Sequence, residues 1–219
     1  MSLKLVSLAT VAALALTGVA QAATTNGFAN GGFENAGSTT PAAAWLAAAA
    51  GYTRSTDAHS GSFSAQLVSP PLNAAIFLQN SIEQGGLPAL TVGDVPVLTF
   101  WAKGFQGTTG DATFSLRYLS STGTILANSL SQHFGGSINP TTWTQITYTL
   151  AGGVPVGAVA AFIEFSQAIG PIDATLLAGK VLVDDINLAV VAVPEPGTYG
   201  LLLAGLGVVG ALVRRRRAV

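Results

Sequence analysis

Few side chains in this sequence could carry out acid–base or nucleophilic chemistry. The two histidines are His59 and His133, and neither accompanies a G-x-S-x-G serine motif. A catalytic zinc site needs three protein ligands, so two histidines suffice only if carboxylates complete the set. Glycoside hydrolysis needs two facing carboxylates, for which Glu34 and Glu164 are the candidate glutamates. We therefore predict no catalytic residue, with a cryptic glycoside hydrolase as the weaker alternative.

One cluster of aromatic and polar residues could bind a ligand. Trp45 and Tyr52 lie in a predicted loop beside Arg54, and large aromatic side chains near a cationic group are typical of binding sites. For Trp45 itself, a core or lid position is favoured over a sugar platform. The region from Ala42 to Ala50 looks helical by composition. Trp45 and the neighbouring Gly51 make a surface loop or one short turn an equal alternative to a helix.

The sequence of 219 residues contains no cysteine. Disulfides, thiolate metal sites, cysteine-linked lipids and a cysteine nucleophile are therefore excluded. Between Ala23 and Val193, four basic residues face nine acidic ones, which gives a net charge of −5. A surface with this charge lacks the basic patch that nucleic-acid binding requires.

The N-terminal 22 residues have the pattern of a secretory signal peptide. Lys4 precedes an apolar run from Leu5 to Leu16, and the segment ends in the small-residue motif Ala20-Gln21-Ala22. The run is shorter than the roughly 20 residues that a membrane span needs, so an uncleaved anchor is the weaker alternative. We expect export through the Sec translocon and cleavage by signal peptidase after Ala22.

The C-terminal region has the pattern of a membrane span. Residues 198–213 carry no charge, and as a helix they would extend about 24 Å at 1.5 Å per residue. Four glycines would weaken a soluble helix but are tolerated in lipid. The arginine cluster that follows favours a cytoplasmic C-terminus; it consists of Arg214, Arg215, Arg216 and Arg217.

A Pro-Glu-Pro motif stands immediately before this apolar segment. Pro194 and Pro196 flank Glu195, so the stretch cannot continue a helix or a central strand and is expected to be extended and accessible. The order of motif, glycine-rich span and arginine cluster over 193–219 closely resembles the PEP-CTERM sorting domain. The resemblance implies recognition by an exosortase in a Gram-negative bacterium that makes exopolysaccharide. A plain tail anchor after a proline-rich linker is the alternative.

Residues 23–192 are predicted to form one all-β domain. Period-two alternation recurs and is interrupted by glycine-rich and Asn-Pro turns, which predicts a sandwich of short antiparallel strands. The predicted strands lie within residues 62–67, 97–101, 114–118, 124–130, 143–150, 159–165 and 181–188.

The order of landmarks along these strands resembles the jelly-roll carbohydrate-binding modules with a galactose-binding-like fold. The landmarks run from Asn30-Gly31-Gly32-Phe33-Glu34 through Asp57 to Ser64 and end at Val183 to Leu188. The resemblance implies a jelly roll of two antiparallel sheets. Trp101 and Trp143 fall at core positions of that family and are interpreted as packing residues. Sugar binding in such modules uses aromatic platforms, for which Trp45, Tyr52 and Arg54 are the ligand-binding candidates.

The same resemblance implies one structural calcium ion between the first and last strands. The matching carboxylates are Glu34 and Asp184, and carbonyl groups near Ser60 to Ser62 would complete the oxygen shell. Asp184 shares the pleat phase of Ile186 and Leu188, which predicts that it points toward the apolar face, where a carboxylate must be paired or coordinated. A hydrogen-bonded carboxylate without metal is the equal alternative.

Together these patterns predict an exported, non-catalytic protein that contacts exopolysaccharide. Its precursor would be anchored in the inner membrane, and the processed form would reach the cell surface or the extracellular matrix of a biofilm. The alternative is a structural or adhesive surface protein without sugar specificity.

Overall fold

The computed structural model describes residues 24–25, 28–48, 50–69, 79–85, 91–168 and 175–191, and single positions at 203, 205–207 and 209. Alternation of apolar and polar side chains produces strands here because each strand can bury one face. The strands are β1 (Thr24–Thr25), β2 (Leu46–Ala47), β3 (Tyr52–Ser55), β4 (Ser64–Val68), β5 (Gln79–Gly85), β6 (Val95–Phe105), β7 (Asp111–Leu119), β8 (Leu130–His133), β9 (Thr144–Thr149), β10 (Ala160–Ala168) and β11 (Lys180–Val191). A short 3-10 helix spans Gly135–Ser137.

The strands form two antiparallel sheets, as the sequence predicts. Sheet A has the order β3-β4-β11-β6-β9, and β1 also pairs with β11. Sheet B has the order β2-β5-β10-β7-β8. Apart from the β3-β4 and β7-β8 pairs, neighbouring strands are not consecutive in sequence, which is the crossing pattern of a jelly roll. The predicted fold class, an all-β jelly-roll sandwich, is confirmed.

The core lies between the two sheets. Phe100 of sheet A meets Phe114 and Phe165 of sheet B in edge-to-face contacts, with ring centroids 5.6 Å and 4.9 Å apart. These rings are fully buried, and aromatic pairs in this geometry add to the free energy gained by apolar burial. The sandwich is therefore fixed by interdigitated side chains and needs no covalent cross-link.

The structure tests two predictions about the regions around Trp45 and Ile125. Residues 42–48 form turns and the two-residue strand β2, so the loop interpretation of this region is confirmed over the helical one. The strand predicted over residues 124–130 is wrong for most of its length. Residues 120–129 form turns and one isolated bridge from Ile125 to Leu119, because the alternation there has no partner strand to pair with.

The predicted terminal segments lie mostly beyond the described part of the chain. The signal peptide over 1–22, the Pro194-Glu195-Pro196 motif and the arginines Arg214 to Arg217 are not among the described residues. Positions 203, 205–207 and 209 are helical. Over the positions that the structure describes, no helix is long and apolar enough to cross a membrane.

Candidate functional site

A loop of residues 57–63 lies on the outer face of sheet A and is held there by Asp184 of β11. Oδ2 of Asp184 accepts hydrogen bonds from the backbone N–H groups of His59 (2.8 Å) and Ser60 (3.3 Å). Oδ1 accepts a third bond, from the N–H of Asp185 at 2.8 Å. One buried carboxylate therefore satisfies three backbone donors that lie outside the strand ladder.

Glu34 holds the other half of the loop. Its Oε1 accepts hydrogen bonds from the N–H groups of Ser62 and Phe63, both at 2.9 Å. Gly61 has a φ of +63°, and a Cβ at this position would collide with Glu34 Oε1. Glycine at this position therefore serves both the backbone conformation and the close approach of the carboxylate.

A β-bulge decides where Asp184 points. Pairing between β11 and β6 shifts between Asp184 and Asn187, and Asp185 adopts a φ of +49°. The extra residue changes the pleat phase, so Val183 and Ile186 both face the core. The prediction that Asp184 shares the face of Ile186 is therefore wrong. Asp184 points to the outer face, where the loop covers it.

The environment of Asp184 opposes ionisation. Burial raises the pKa of Asp184 to about 6, while the hydrogen bonds from His59, Asp185 and Ser60 act in the lowering direction. The neighbouring Asp185 carboxylate also raises this pKa, because two like charges repel. Asp184 is therefore a buried acid that titrates close to the neutral range.

The donors around Glu34 and Asp184 do not fit a calcium ion. Calcium takes six to eight oxygen ligands, but five backbone N–H groups converge on these two carboxylates. Their partial positive charge stabilises an anion and opposes a cation. Among the described residues, no group of three acidic or histidine side chains is placed to hold a metal. The arrangement favours the metal-free alternative, in which the carboxylates hold the loop by hydrogen bonds.

The loop also carries an aromatic stack. The imidazole of His59 lies flat on the indole of Trp101, with centroids 3.7 Å apart and planes inclined by 12°. Trp143 meets the same imidazole edge-on at 5.9 Å. His59 Nδ1 lies 2.6 Å from Asp185 Oδ2, which fixes the orientation of the ring. The interpretation of Trp101 and Trp143 as packing residues therefore holds. Both pack against His59 on the outer face of sheet A and not between the sheets.

Lys103 joins this stack to a charged pair. Its Nζ lies 2.5 Å from Asp57 Oδ1 and 5.1 Å above the ring of Trp143. The Lys103 side chain is mostly buried, whereas half of the Asp57 side chain is exposed. An ammonium group held between a carboxylate and an indole is restricted in position, because both contacts constrain where it lies.

A pocket opens beside Lys103, and we call it the lysine cleft. Its volume is about 200 Å³, enough for part of a small ligand such as one sugar ring. Phe105 supplies an exposed aromatic side chain, and the remaining lining mixes charged, apolar and backbone groups. The cleft is lined by Asp57, Lys103, Gly104, Phe105, Pro140, Lys180 and Leu182.

The predicted ligand cluster does not present a binding surface. Trp45 is fully buried and packs against Phe28 and Phe33 at centroid distances of 6.2 Å and 5.2 Å. Its Nε1–H donates to the carbonyl of Asn30 at 2.9 Å, so both its apolar and polar groups are satisfied internally. The indole therefore has no free face for a sugar, and the core alternative holds for Trp45.

Tyr52 and Arg54 are also turned inward. Tyr52 is 5% exposed, and burial raises its pKa above the ordinary tyrosine range. The Arg54 guanidinium stacks on Phe63 at 3.7 Å and donates to the carbonyl of Glu34 at 3.1 Å. These residues tie the first segment of the domain to the loop. The sequence pattern does not indicate the lysine cleft, because its lining comes from β6, β11 and two loops that are far apart in the chain.

The two candidate glycosidase carboxylates do not face each other. Glu34 is engaged by the loop on sheet A, whereas Glu164 projects from the outer face of sheet B between the buried Ile163 and Phe165. Glu164 forms an ion pair with Arg117 at 3.3 Å. A pair of carboxylates separated by the whole sandwich cannot act on one glycosidic bond.

Comparison with known proteins identifies the C-terminal segment. Residues 192–217 match the family of the PEP-CTERM protein-sorting motif. No curated protein matches the chain. The matched segment begins at the residue that follows β11, so the sorting motif continues directly from the last strand of the domain.

Several solved structures resemble the domain. The enzymatically active domain of tailspike protein 4 from bacteriophage CBA120 has a TM-score of 0.55 at 21% identity, and the match covers 76% of this chain. This chain spans only 21% of that structure.

Two further structures have lower scores. The CBM22-1 xylan-binding domain of Paenibacillus barcinonensis Xyn10C has a TM-score of 0.45 at 12% identity, covering 77% of this chain and 94% of that one. The K3 cleaved adhesin domain of Lys-gingipain from Porphyromonas gingivalis has a TM-score of 0.42 at 17% identity, covering 75% and 99%. At such identities a likeness concerns the fold alone. By its two antiparallel sheets and its matched C-terminal segment, the chain contains a jelly-roll domain followed by a PEP-CTERM protein-sorting motif.

Proposed function

We propose that this chain is an exported surface protein that an exosortase sorts through its C-terminal segment. The observation that carries the proposal is the sorting-motif match over residues 192–217, placed directly after β11. Processing near Pro194-Glu195-Pro196 would release the folded domain without cutting a strand. Arg214 to Arg217 would keep the tail oriented in the inner membrane until that step.

The domain itself is proposed to contact extracellular polysaccharide through the lysine cleft. Phe105 offers an aromatic face on which a sugar ring can stack, since sugars present C–H groups on one side. Lys180 and the Asp57–Lys103 pair supply donors and acceptors for hydroxyl or carboxylate groups of the sugar. The cleft combines one apolar surface with a few directional polar groups, which is the usual composition of a small-ligand site.

A binding role is favoured over catalysis by the arrangement of the acids. Glu34 and Asp184 hold the loop, and Glu164 is paired with Arg117 on the far side of the sandwich. The hydrolase alternative is tested by turnover of a panel of chromogenic glycosides. Turnover that Glu164→Gln abolishes would overturn the binding proposal.

The binding role is tested with the full chain in mild detergent and polysaccharide purified from the producing cells. We expect retention of the wild-type protein, and at least tenfold weaker retention of Phe105→Ala and Lys180→Ala. Leu46→Ala is the matched control, because Leu46 is an exposed apolar residue on sheet B, outside the cleft. No retention of the wild type on any such polysaccharide would favour the structural or adhesive alternative.

A further inference from the structure

Three loops meet at the end of the sandwich where β11 finishes. Val191 pairs with Val95, so the chain leaves the domain beside the start of β6. We call this region the exit end and define it as residues 91–94, 119–129 and 150–159.

The loops of the exit end are bonded to each other. Gly93 donates its N–H to the carbonyl of Val154 at 2.9 Å, and Val154 donates to the carbonyl of Asp94 at 2.8 Å. Asn128 Nδ2 donates to the carbonyls of Gly152 and Gly153 at 2.6 Å and 3.0 Å. Hydrogen bonds therefore join the three loops at this end of the sandwich.

The exit end is apolar and almost without charge. Four of its large apolar side chains are more than half exposed: Val92 (52%), Ile125 (57%), Val156 (83%) and Val159 (59%). Its only charged side chain is Asp94, which is 7% exposed. Single exposed apolar residues are common, but a cluster without neighbouring charge indicates an interaction surface.

The opposite end of the sandwich carries several charged side chains. It carries the Asp57–Lys103 and Asp111–His133 pairs and the exposed Lys180. Because a domain with a net charge of −5 is repelled by anionic lipids, only an end without exposed acids can approach such a surface closely.

The sorting tail keeps the exit end close to the membrane. Seven residues, 192–198, separate Val191 from the apolar segment that starts at Tyr199, and seven residues span at most roughly 25 Å. The twelve residues of β11 rise roughly 36 Å toward the opposite end. The exit end is thus within reach of the bilayer, while the lysine cleft lies far from it.

We propose that the exit end rests on the periplasmic surface of the bilayer in the anchored precursor, with Val92, Ile125, Val156 and Val159 in the interfacial region. This inference rests on the proposed function, because it requires the tail to be in the same membrane. The tether makes the contact intramolecular, so a small patch suffices where it would not bind from solution. The contact would orient the lysine cleft outward before processing.

The proposal is tested by site-specific fluorescence in vesicles, which the absence of native cysteine makes direct. The full chain carries one environment-sensitive nitrobenzoxadiazole label at V156C, I125C, L177C or V209C. Each protein is reconstituted in phosphatidylcholine and phosphatidylglycerol vesicles with or without nitroxide-labelled lipid. Leu177 is the matched control, since it is an apolar residue with 67% exposure at the opposite end, bonded to Thr108. Val209 reports whether the tail is in the bilayer.

We expect quenching by nitroxide lipid at V156C and I125C to be at least twofold stronger than at L177C, together with a blue-shifted emission. Strong quenching at V209C with no difference between V156C and L177C would overturn the inference and leave the anchored tail intact. Absence of quenching at V209C would overturn the anchor and, with it, the inference. A blue shift at V156C without lipid quenching would indicate contact with a second copy, and would also contradict the lipid contact.

Discussion

The imidazole of His59 lies 3.7 Å from the indole of Trp101, and its Nδ1 is bonded to Asp185 at 2.6 Å. His133 makes a similar bond to Asp111 at 2.7 Å, but its side chain is 77% exposed. The described part of the chain thus contains two His–Asp pairs, and there the first alone belongs to a packed cluster.

We expect His59→Ala to lower the free energy of unfolding by about 1–3 kcal/mol, because it removes both an aromatic contact and a part-buried hydrogen bond. His133→Ala should change it by no more than about 0.5 kcal/mol, since exposed ion pairs contribute little. Urea denaturation of both variants measures the difference. Equal losses would show that the stack does not stabilise the loop.

A second prediction concerns the pH dependence of stability at Asp184. Its pKa is about 6 in the folded protein and near 3.8 when unfolded, so the folded state binds this proton more tightly. Between these pH values the folded state carries more protons, and the free energy of unfolding falls as pH rises, by at most about 3 kcal/mol. Denaturation should therefore be measured at pH 4, 5, 6 and 7. The free energy of unfolding of the wild type minus that of Asp184→Asn should fall as the pH rises. A rising difference would mean that the hydrogen bonds to the carboxylate outweigh its burial.

Metal removal gives a third prediction. Because backbone N–H groups surround Glu34 and Asp184, we expect a calcium chelator to leave the melting temperature unchanged within about 1 °C. Addition of millimolar calcium should be equally without effect. A reversible drop with chelator, restored by calcium but not by magnesium, would show that the loop rearranges to present oxygens to the ion.

A fourth prediction compares two glycines with similar backbone conformations. Gly61 has φ +63° and a methyl group added there would collide with Glu34, whereas Gly123 has φ +79° and nothing within 4 Å. Gly123→Ala should cost about 1 kcal/mol, the penalty for a left-handed residue with a Cβ. Gly61→Ala should cost about 1–2 kcal/mol more, because the Glu34 carboxylate must move away and lose a hydrogen bond that holds the loop. If thermal denaturation shows that both variants lose the same stability, Glu34 does not contact Gly61 in the folded protein.

The sequence predicted the longer strands more successfully than it predicted the site. Alternation located β4, β6, β7, β9, β10 and β11, whereas β5, which pairs on both sides, was not predicted. Over residues 124–130 the same signal failed, since alternation alone does not supply a pairing partner.

The site depended on features that a linear pattern does not contain. One inserted residue at the bulge near Asp185 reversed the face on which Asp184 lies. Trp45 is a candidate platform only by its loop position, and the contacts with Phe28 and Phe33 bury it, in agreement with the core alternative. The lysine cleft brings Asp57, Lys103 and Lys180 together across long sequence separations, and each of them looks like an ordinary surface charge when considered alone.

Mass spectrometry of the protein's C-terminus tests the sorting account most directly. The native protein, produced in a host that contains an exosortase, should appear outside the inner membrane with a C-terminus near Pro194–Pro196 and without Arg214 to Arg217. The triple variant P194A/E195A/P196A should remain in the membrane fraction at full length. Surface protein that still ends at Val219, or equal processing of the triple variant, would contradict the account.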